Sequence, residues 1–201
     1  MNVTLIDYGA GNVTSVERAL QRLGAASQRA SSPDCIAKAG ALLLPGVGHY
    51  AAFIRALDER GLRAPLLDAL QRGVPFLGVC LGLQALYETS EEAPELTGLK
   101  LFPGSVRSLP ATVKLPHMGW NQVRLTRPSR LLEGISADAY FYFAHSFAAT
   151  GANGEDVALC NHGSDFAAVI ERGNIFGVQF HPEKSAGAGA QLLRNFLRLA
   201  A

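Results

Sequence analysis

Three short apolar runs in the first half of the chain each lead into a glycine-containing turn and then into a segment with helical spacing. The runs are NVTLIDYG from Asn2, AGALLLPGVG from Ala39 and VPFLGVC from Val74. Runs of this kind, without polar alternation, are typical of strands covered on both faces, as in parallel sheets. The alternation of strand and helix therefore predicts an α/β fold whose mostly parallel central sheet is flanked by helices.

Helical spacing is visible after each of these runs. One helix is predicted before Gly24 from apolar residues on one face: Val13, Val16, Leu20 and Leu23. Thr14 and Glu17 have the spacing of a capping box at its start. A second helix is predicted before Gly73 from Leu62, Leu66, Ala69 and Leu70. The segment LGLQALYE, directly after Cys80, is expected to open a third.

The second half of the chain adds closely spaced strand patterns and one final helix. The strand candidates are GSVRSL, HMGWNQVRL, AYFYFAHSF, EDVALCNH and FAAVIERGNIFGVQF, and we expect some of them to be antiparallel. The final helix is indicated by Leu193, Phe196, Leu197 and Ala200. No repeat, low-complexity tract or linker divides residues 1–201, which we interpret as a single domain.

Composition narrows the possible functions. The 18 Lys and Arg residues against 17 acids give a net charge of +1, and the basic residues are scattered, so we expect no nucleic-acid partner. No apolar run approaches the roughly 20 residues that span a membrane, and the N-terminus lacks the features of a signal peptide. Cys35, Cys80 and Cys160 form no CxxC pair, which favours a reducing compartment, the cytoplasm, and argues against structural zinc.

Cys80 lies between two glycines at the end of an apolar run, in the sequence GVCLG. A sharp strand-to-helix turn crowds the backbone, so its flanking residues must be small, and Gly78 and Gly82 meet that need. Such a turn lifts the side chain out of the sheet and sets it at a helix N-terminus, where a thiolate is favoured. A buried structural cysteine is the alternative interpretation of this stretch alone.

A base for this thiol is found in FGVQFHPEKS, where His181 is followed by Pro182 and Glu183. An imidazole works best as a base when a third group fixes its tautomer and stabilises its charge. We expect an extended segment here, which would point the imidazole and the carboxylate to the same side. His145 lacks a carboxylate in its own segment, while His117 and His162 are interpreted as structural.

The turn LLLPGVGHY adds a possible oxyanion-binding site. Attack on a carbonyl creates an oxyanion, which requires preorganised donors. The N–H of Leu81, directly after Cys80, is one candidate, and the N–H of Val47 between Gly46 and Gly48 is another. Since ligands gather at the carboxyl ends of strands in open α/β sheets, these turns are expected to share one site.

Taken together, the chain resembles the class I (triad-type) glutamine amidotransferases, which have a flavodoxin-like fold. The match is carried by PGVG at Pro45–Gly48, GVCLGLQ at Gly78–Gln84 and GVQFHPEKS at Gly177–Ser185, in the family's order. Within the family, IDYGAGN, LPHMGWNQV and YFAHSF resemble the branch that serves histidine biosynthesis. Anthranilate-type members tend to have PGPG and CLGHQ, where this chain has Val47 and Leu83.

The resemblance implies hydrolysis of glutamine to glutamate and ammonia, without a cofactor or metal. It implies Cys80 as nucleophile, His181 as proton shuttle and Glu183 as the group that orients it. Substrate contacts are expected from Gly46, Gly48, Gln84, His145 and Ser146. The family passes ammonia to a separate (β/α)8-barrel synthase subunit, so a heterodimer is expected, with interface candidates Tyr8, Asn12, Trp120, Tyr142 and Lys184.

Three alternatives remain open from the sequence. An amidotransferase of the same family could serve anthranilate or pyridoxal phosphate synthesis instead. A cysteine hydrolase of other specificity could use the same architecture, because fold does not fix substrate. Finally, Gly9 and Gly11 in DYGAGN follow a strand and precede a helix, as in a dinucleotide-binding turn, although Thr14 replaces the third glycine.

Overall fold

The computed structural model describes residues 2–10, 12–150 and 156–201, so Gly11 and Glu155 of the segments above lie outside it. The strands are β1 (Asn2–Ile6), β2 (Ala26–Ala30), β3 (Leu42–Gly46), β4 (Phe76–Cys80), β5 (Tyr87–Ser90), β6 (Phe102–Ser108), β7 (His117–Gln122), β8 (Arg124–Leu125), β9 (Tyr140–His145), β10 (Phe147–Ala149), β11 (Asp156–Asn161), β12 (Asp165–Arg172) and β13 (Ile175–Val178). The helices are α1 (Val13–Arg22), α2 (Pro33–Ala37), α3 (Tyr50–Glu59), α4 (Arg63–Gln71), α5 (Leu81–Gln84) and α6 (Ala186–Leu199).

The centre of the fold is an eight-stranded sheet in the order β2-β1-β3-β4-β13-β12-β11-β8. The first five strands in this order are mutually parallel, and the last three pair antiparallel. Two small sheets, β10-β6-β5 and β7-β9, are added by the second half of the chain. The predicted fold class is confirmed, including the antiparallel additions.

Both faces of the sheet are covered, which explains the unbroken apolar runs. In β3, Leu42 and Leu44 point into one hydrophobic cluster and Leu43 into another on the opposite face. Helices α2, α3 and α4 pack in the first cluster, whereas α1 and α6 pack in the second. A strand buried on both sides has no polar face to reveal its period, so its sequence is continuously apolar.

The helix predicted from LGLQALYE is only one turn long. Helix α5 ends at Gln84, and strand β5 begins at Tyr87. The carbonyls between them accept hydrogen bonds from a distant segment. Leu99 N–H donates to Ala85 O at 2.6 Å, and Phe102 N–H donates to Leu86 O at 3.0 Å. Carbonyls engaged in this way cannot continue a helix.

The capping box predicted at Thr14 and Glu17 is not formed. Asn12 is the N-cap of α1 and makes no side-chain cap. Arg29 on β2 engages both predicted capping residues instead, with one nitrogen 3.0 Å from Thr14 Oγ1 and 2.6 Å from Glu17 Oε2. A charged partner on the neighbouring strand therefore outcompetes the local backbone N–H. None of the described helices has the length and apolar character needed to cross a bilayer.

Candidate active site

Cys80 ends strand β4 in a conformation that L-residues rarely adopt, with φ at 55° and ψ at −107°. Such backbone strain in a non-glycine residue clusters at functional sites. The turn places the side chain at the N-terminus of α5, and only 5% of the residue is exposed. The sharp turn expected from the sequence is present. Its strained backbone at Cys80 is what directs the sulfur away from the sheet.

The flanking glycines are required because the backbone approaches itself closely. A Cβ built on Gly78 would lie 2.4 Å from Gly82 O, and one built on Gly82 would lie 2.0 Å from Leu44 O. Both distances are far below any real carbon–oxygen contact, and both obstacles are backbone atoms that cannot rotate away. Gly78 and Gly82 therefore let α5 pack directly against β3 and β4.

His181 and Glu183 come to the same place from the end of the neighbouring strand β13. His181 Nδ1 donates to Glu183 Oε1 at 2.9 Å, and the two side chains are only 3% and 1% exposed. The segment is not extended as expected, because Pro182–Lys184 forms a 3₁₀ turn. Its geometry is held by Ser185, whose hydroxyl donates to His181 O at 2.7 Å. The turn, rather than strand alternation, brings the carboxylate under the imidazole.

The electrostatics of this group favour a charged imidazole. Burial disfavours the positive charge on His181, but hydrogen bonds to Cys80 and Glu183, together with their negative charges, outweigh burial and raise the pKa of His181 to about 9. A protonated imidazole between a thiolate and a carboxylate is the arrangement that activates a cysteine nucleophile. Cys80 and Glu183 both interact with His181, so the imidazole is the common partner of the two other residues predicted to act with it.

Asn12 was predicted at a partner interface, but its side chain belongs to this group. Asn12 Nδ2 donates to Glu183 Oε1 at 3.0 Å, so the same carboxylate oxygen accepts from both Asn12 and His181. A carboxylate held by two donors has a fixed orientation, which in turn fixes the imidazole. The signal for this role was not visible in the sequence, because the two residues are separated by 171 positions.

A cavity of about 250 Å³ opens beside the sulfur of Cys80. Glu92 also lines the cavity, although no local pattern indicates this, because SEEAPE has the composition of an exposed loop. Gly46 was predicted to contact substrate but is absent from the wall; it lies opposite Cys80 in the β3–β4 pairing and packs under Leu81. The wall includes these predicted residues: Val47, Gly48, Leu81, Gln84, His145 and Ser146.

The predicted oxyanion donor Val47 is engaged in this conformation. Its N–H donates to the hydroxyl of Tyr8 at 3.3 Å. The ring of Tyr8 is 2% exposed and packs edge-on against Phe53, which differs from its prediction as an interface residue. Burial raises the pKa of Tyr8 to about 12, so the hydroxyl stays protonated. An oxyanion could receive the Val47 N–H only after this contact is broken.

The remaining interface candidates lie together on the small sheet formed by β7 and β9. Trp120 pairs with Tyr142 across the two strands, with ring centroids 6.0 Å apart. Lys184 Nζ lies 5.6 Å from the centre of the Tyr142 ring. Met118 and Tyr140 extend the surface and, like Trp120, are more than half exposed. We call these five residues the aromatic face.

His145 and His117 form a buried pair behind the cavity. His145 Nδ1 lies 2.9 Å from the carbonyl of Phe147, and because a carbonyl only accepts, this nitrogen carries the proton. His145 Nε2 then accepts from His117 Nδ1 at 3.1 Å, and His117 Nε2 accepts from Asn121 at 3.2 Å. Both rings are neutral in this arrangement, since burial lowers the pKa of His145 to about 3 and that of His117 to about 4.

We expect the buried histidine pair to make the fold sensitive to mild acid. The pKa values of His117 and His145 in the folded protein lie below the ordinary 6.5. As the pH falls below 6.5, these histidines therefore bind protons in the unfolded chain before they do so in the folded one. The contribution of this pair to stability is therefore complete above about pH 6.5, and it falls by up to about 1.4 kcal/mol per pH unit for each histidine as the pH decreases. Urea unfolding between about pH 7.5 and 5 measures this slope.

A His117→Phe variant tests the assignment. It preserves the stacking on Phe143 but removes one titrating group, so the acid slope becomes shallower by about 1.4 kcal/mol per pH unit. The control is His49→Gln, because His49 is exposed and caps α3 through its ring nitrogen at 3.1 Å from Ala51 N. An acid slope in His117→Phe that equals the wild-type slope would contradict the prediction.

Comparison with known proteins identifies the class to which this fold and site belong. Residues 4–200 match the family described as glutamine amidotransferase class-I, and the chain is a member of this family. Its curated relatives include the imidazole glycerol phosphate synthase subunit HisH of Moorella thermoacetica, 48% identical over 195 residues, or 96% of this chain and 93% of that protein. The HisH protein of Methanothermobacter thermautotrophicus is 46% identical over 98% of both chains.

Solved structures agree with the fold. A crystal structure described as a glutamine amidotransferase superposes with a TM-score of 0.78 over 98% of both chains, at 20% identity. A chain in the structure of PurLQS from Thermotoga maritima superposes with a TM-score of 0.74 over 98% of this chain and 97% of that one, at 17% identity. The family resemblance seen in the sequence is confirmed.

Proposed function

We propose that this chain is the glutamine-hydrolysing subunit of an imidazole glycerol phosphate synthase. Its curated relatives carry that name at 40–48% identity over nearly their whole length. The proposal rests on the approach of three side chains from the ends of adjacent strands β4 and β13. His181, which is bonded to Glu183, interacts with Cys80, and Cys80 lines the cavity. An amidotransferase that serves anthranilate or pyridoxal phosphate synthesis is the weaker alternative, because the relatives at 48% and 46% identity are imidazole glycerol phosphate synthase subunits.

The chemistry follows from the arrangement of the three side chains. The thiolate of Cys80 attacks the side-chain amide carbon of glutamine, and the resulting oxyanion is stabilised by the N–H of Leu81 and, once released from Tyr8, that of Val47. Protonated His181 gives its proton to the departing nitrogen, so ammonia leaves and a thioester remains. Neutral His181 then takes a proton from water, which attacks the thioester and releases glutamate.

The cavity offers groups suited to both ends of a glutamine molecule. Glu92 supplies a carboxylate on the wall, which would pair with the α-ammonium group. Its Oε2 already accepts the N–H of Tyr50 at 2.9 Å, which fixes its position. Gln84, Gly48 and Ser146 provide amide and backbone groups for the remaining polar atoms of the substrate. A cavity of about 250 Å³ suits an amino acid and little more.

Ammonia released into neutral water becomes ammonium, which has no lone pair for attack, so the product must be handed on directly. The aromatic face is a suitable docking surface for a (β/α)8 synthase subunit in a heterodimer, because it is rich in aromatic side chains and three of its large hydrophobic residues are more than half exposed. The aromatic face is connected to the candidate active site, because Lys184 belongs to the same 3₁₀ turn as Glu183 and contacts the ring of Tyr142. The need for a free thiolate implies a reducing compartment such as the cytoplasm.

The decisive experiment measures glutamate release from the purified chain with and without its synthase subunit. We expect slow hydrolysis alone, because Val47 N–H is occupied by Tyr8, and faster hydrolysis in the complex. Copurification from cell extract identifies the synthase and so separates histidine biosynthesis from the anthranilate and pyridoxal phosphate branches. Equally fast turnover without any partner would contradict the coupling.

Truncating the aromatic face should weaken the complex. Trp120 is 52% exposed, and Trp residues at interface centres carry about 2 kcal/mol or more of binding free energy. We therefore expect Trp120→Ala to raise the Kd for the synthase subunit by about 30-fold or more, as measured by calorimetry. Leu125→Ala is the control, because Leu125 is 51% exposed but lies on strand β8 at the edge of the central sheet and not on the β7–β9 sheet. An unchanged Kd in Trp120→Ala would exclude this docking surface.

A further inference from the structure

Gln179 is a fully buried side chain that contacts the sulfur of Cys80. Its Nε2 lies 3.5 Å from Cys80 Sγ, and the residue has no exposed surface. Gln179 directly follows β13 and extends its pairing, since its N–H donates to Ala168 O at 2.9 Å. Residues two apart on such a strand end face the same side, so Gln179 and His181 both reach the sulfur.

The orientation of the Gln179 amide is fixed by its neighbours. Gln84 lies 2.7 Å from the carbonyl of Phe147, and a carbonyl only accepts, so the Gln84 atom there is the Nε2 donor. The same Nε2 lies 3.0 Å from Gln179, which must present Oε1 to it. The other end of the Gln179 amide is then the N–H donor, and it points to Cys80 Sγ.

The far end of this chain of contacts reaches the cavity wall. Gln84 lines the cavity, and its Oε1 is buried and lacks a hydrogen-bond partner among the described residues. A buried acceptor without a partner is unfavourable until a donor reaches it. A substrate N–H that binds to Gln84 Oε1 would therefore also fix the amide that holds Gln179, and through it the sulfur.

A neutral donor at the sulfur has a different effect from the imidazole. An N–H from an amide stabilises the thiolate but has no proton to give away in the pH range of the reaction. It therefore favours the anion both before attack and when the sulfur departs from the thioester, while His181 remains free to move protons. The contact also restricts the side-chain torsion of Cys80, which sets the direction of attack.

We propose that Gln179 is a positioning residue, which orients the Cys80 sulfur and stabilises its anion through a neutral hydrogen bond whose direction is set by Gln84 and the Phe147 carbonyl. This inference rests on the proposed function in that Cys80 is taken as the nucleophile. No local sequence pattern indicates a role for this side chain. A role confined to packing is the competing explanation.

The test is the pH profile of Cys80 alkylation by iodoacetamide, followed by peptide mass analysis. Cys35 is exposed and is replaced in all proteins by Cys35→Ser, whereas Cys160 is buried and its pKa is raised to about 12 by burial, so it stays silent. In Gln179→Met, which keeps the volume but removes the donor, we expect the midpoint of the profile to rise by about 0.5–1 pH unit. The kcat for glutamine should fall about tenfold with KM within about twofold.

The control is a second buried amide that plays no part at the sulfur. Asn195 on α6 is 1% exposed and donates to Leu131 O and Glu133 O, both at 2.8 Å. Asn195→Leu therefore lowers stability as a packing defect would, but it leaves the alkylation midpoint unchanged. A midpoint that moved equally in both variants would assign Gln179 to packing alone.

Each outcome decides the proposal. An unchanged midpoint and kcat in Gln179→Met overturn it. If that variant does not fold, Gln84→Met replaces it, because loss of the Gln84 donor frees the Gln179 amide to rotate and must also raise the midpoint; no rise overturns the proposal. Failure of the proposed function has a different signature, because glutamine would then not protect wild-type Cys80 from alkylation. The difference in alkylation midpoint between Gln179→Met and the protein with Gln179 intact would still test the role of Gln179.

Discussion

Replacement of Cys80 by alanine is expected to reduce the kcat of glutamine hydrolysis by at least about 10⁴-fold. In the proposed mechanism the sulfur forms the covalent intermediate, and neither His181 nor a water molecule can substitute for that step. Because Cys80 has a φ of 55°, and alanine meets the same steric limits there, the variant should keep the fold. Glutamate release, measured in the complex with the synthase subunit, is the readout.

The two other cysteines provide matched controls for this experiment. Cys35→Ala removes an exposed thiol and Cys160→Ala a buried one, and both variants should keep their activity. The Cys80→Ala variant carries a second signature, because a hydrogen bond to the sulfur and its negative charge raise the pKa of His181 against the effect of burial. The pKa of His181, followed by its NMR resonance, should therefore be lower in the variant than in the wild type. Appreciable activity in Cys80→Ala would exclude the cysteine as nucleophile.

Replacement of Gly82 by alanine is expected to destabilise the protein by about 3 kcal/mol or more. The added Cβ would lie 2.0 Å from Leu44 O, and relief requires that α5 move away from β3. Since α5 carries the backbone that shapes the turn at Cys80, activity should fall together with stability. Thermal unfolding should show a midpoint lowered by about 6–12 °C, or no folded protein should be recovered.

Gly187 is the matched control for Gly82. It lies in α6, and a Cβ built there meets no atom within 4 Å. Gly187→Ala should therefore be neutral or stabilising, by up to about 1 kcal/mol, because alanine is the better helix former. Equal stability of Gly82→Ala and wild type would show that the close approach between α5 and β3 can be relieved without loss.

The order of strands and helices could be predicted from the sequence because burial on both faces leaves a direct trace. Leu42, Leu43 and Leu44 are all buried, which only a central strand of a covered sheet permits. Strand β2 could not be found in this way, because ASQRA lies at the sheet edge and is mostly exposed. The length of α5 was overestimated because its end is determined by distant residues, Leu99 to Phe102, that bind its neighbouring carbonyls.

The residues of the candidate site also differ in whether a local sequence pattern indicates them. Cys80 could be identified because its turn needs small neighbours, and His181 with Glu183 because they are close in sequence. Gln179 and Glu92 left no local signal: the first follows an apolar strand, and the second sits in an acidic loop. Their roles depend on contacts across the fold, such as the 99 positions that separate Gln179 from Cys80.

The strand that delivers the imidazole, β13, is also the one that joins the parallel half of the sheet to the antiparallel half. During synthesis on the ribosome, the thiol emerges long before this strand does. A nascent polypeptide, or one released early from the ribosome, thus carries Cys80 without the base that the proposed mechanism assigns to it. In the proposed mechanism this cysteine gains its base only when β13 pairs with β4 and β12, so assembly of the sheet, rather than synthesis of the thiol, sets when the nucleophile becomes reactive.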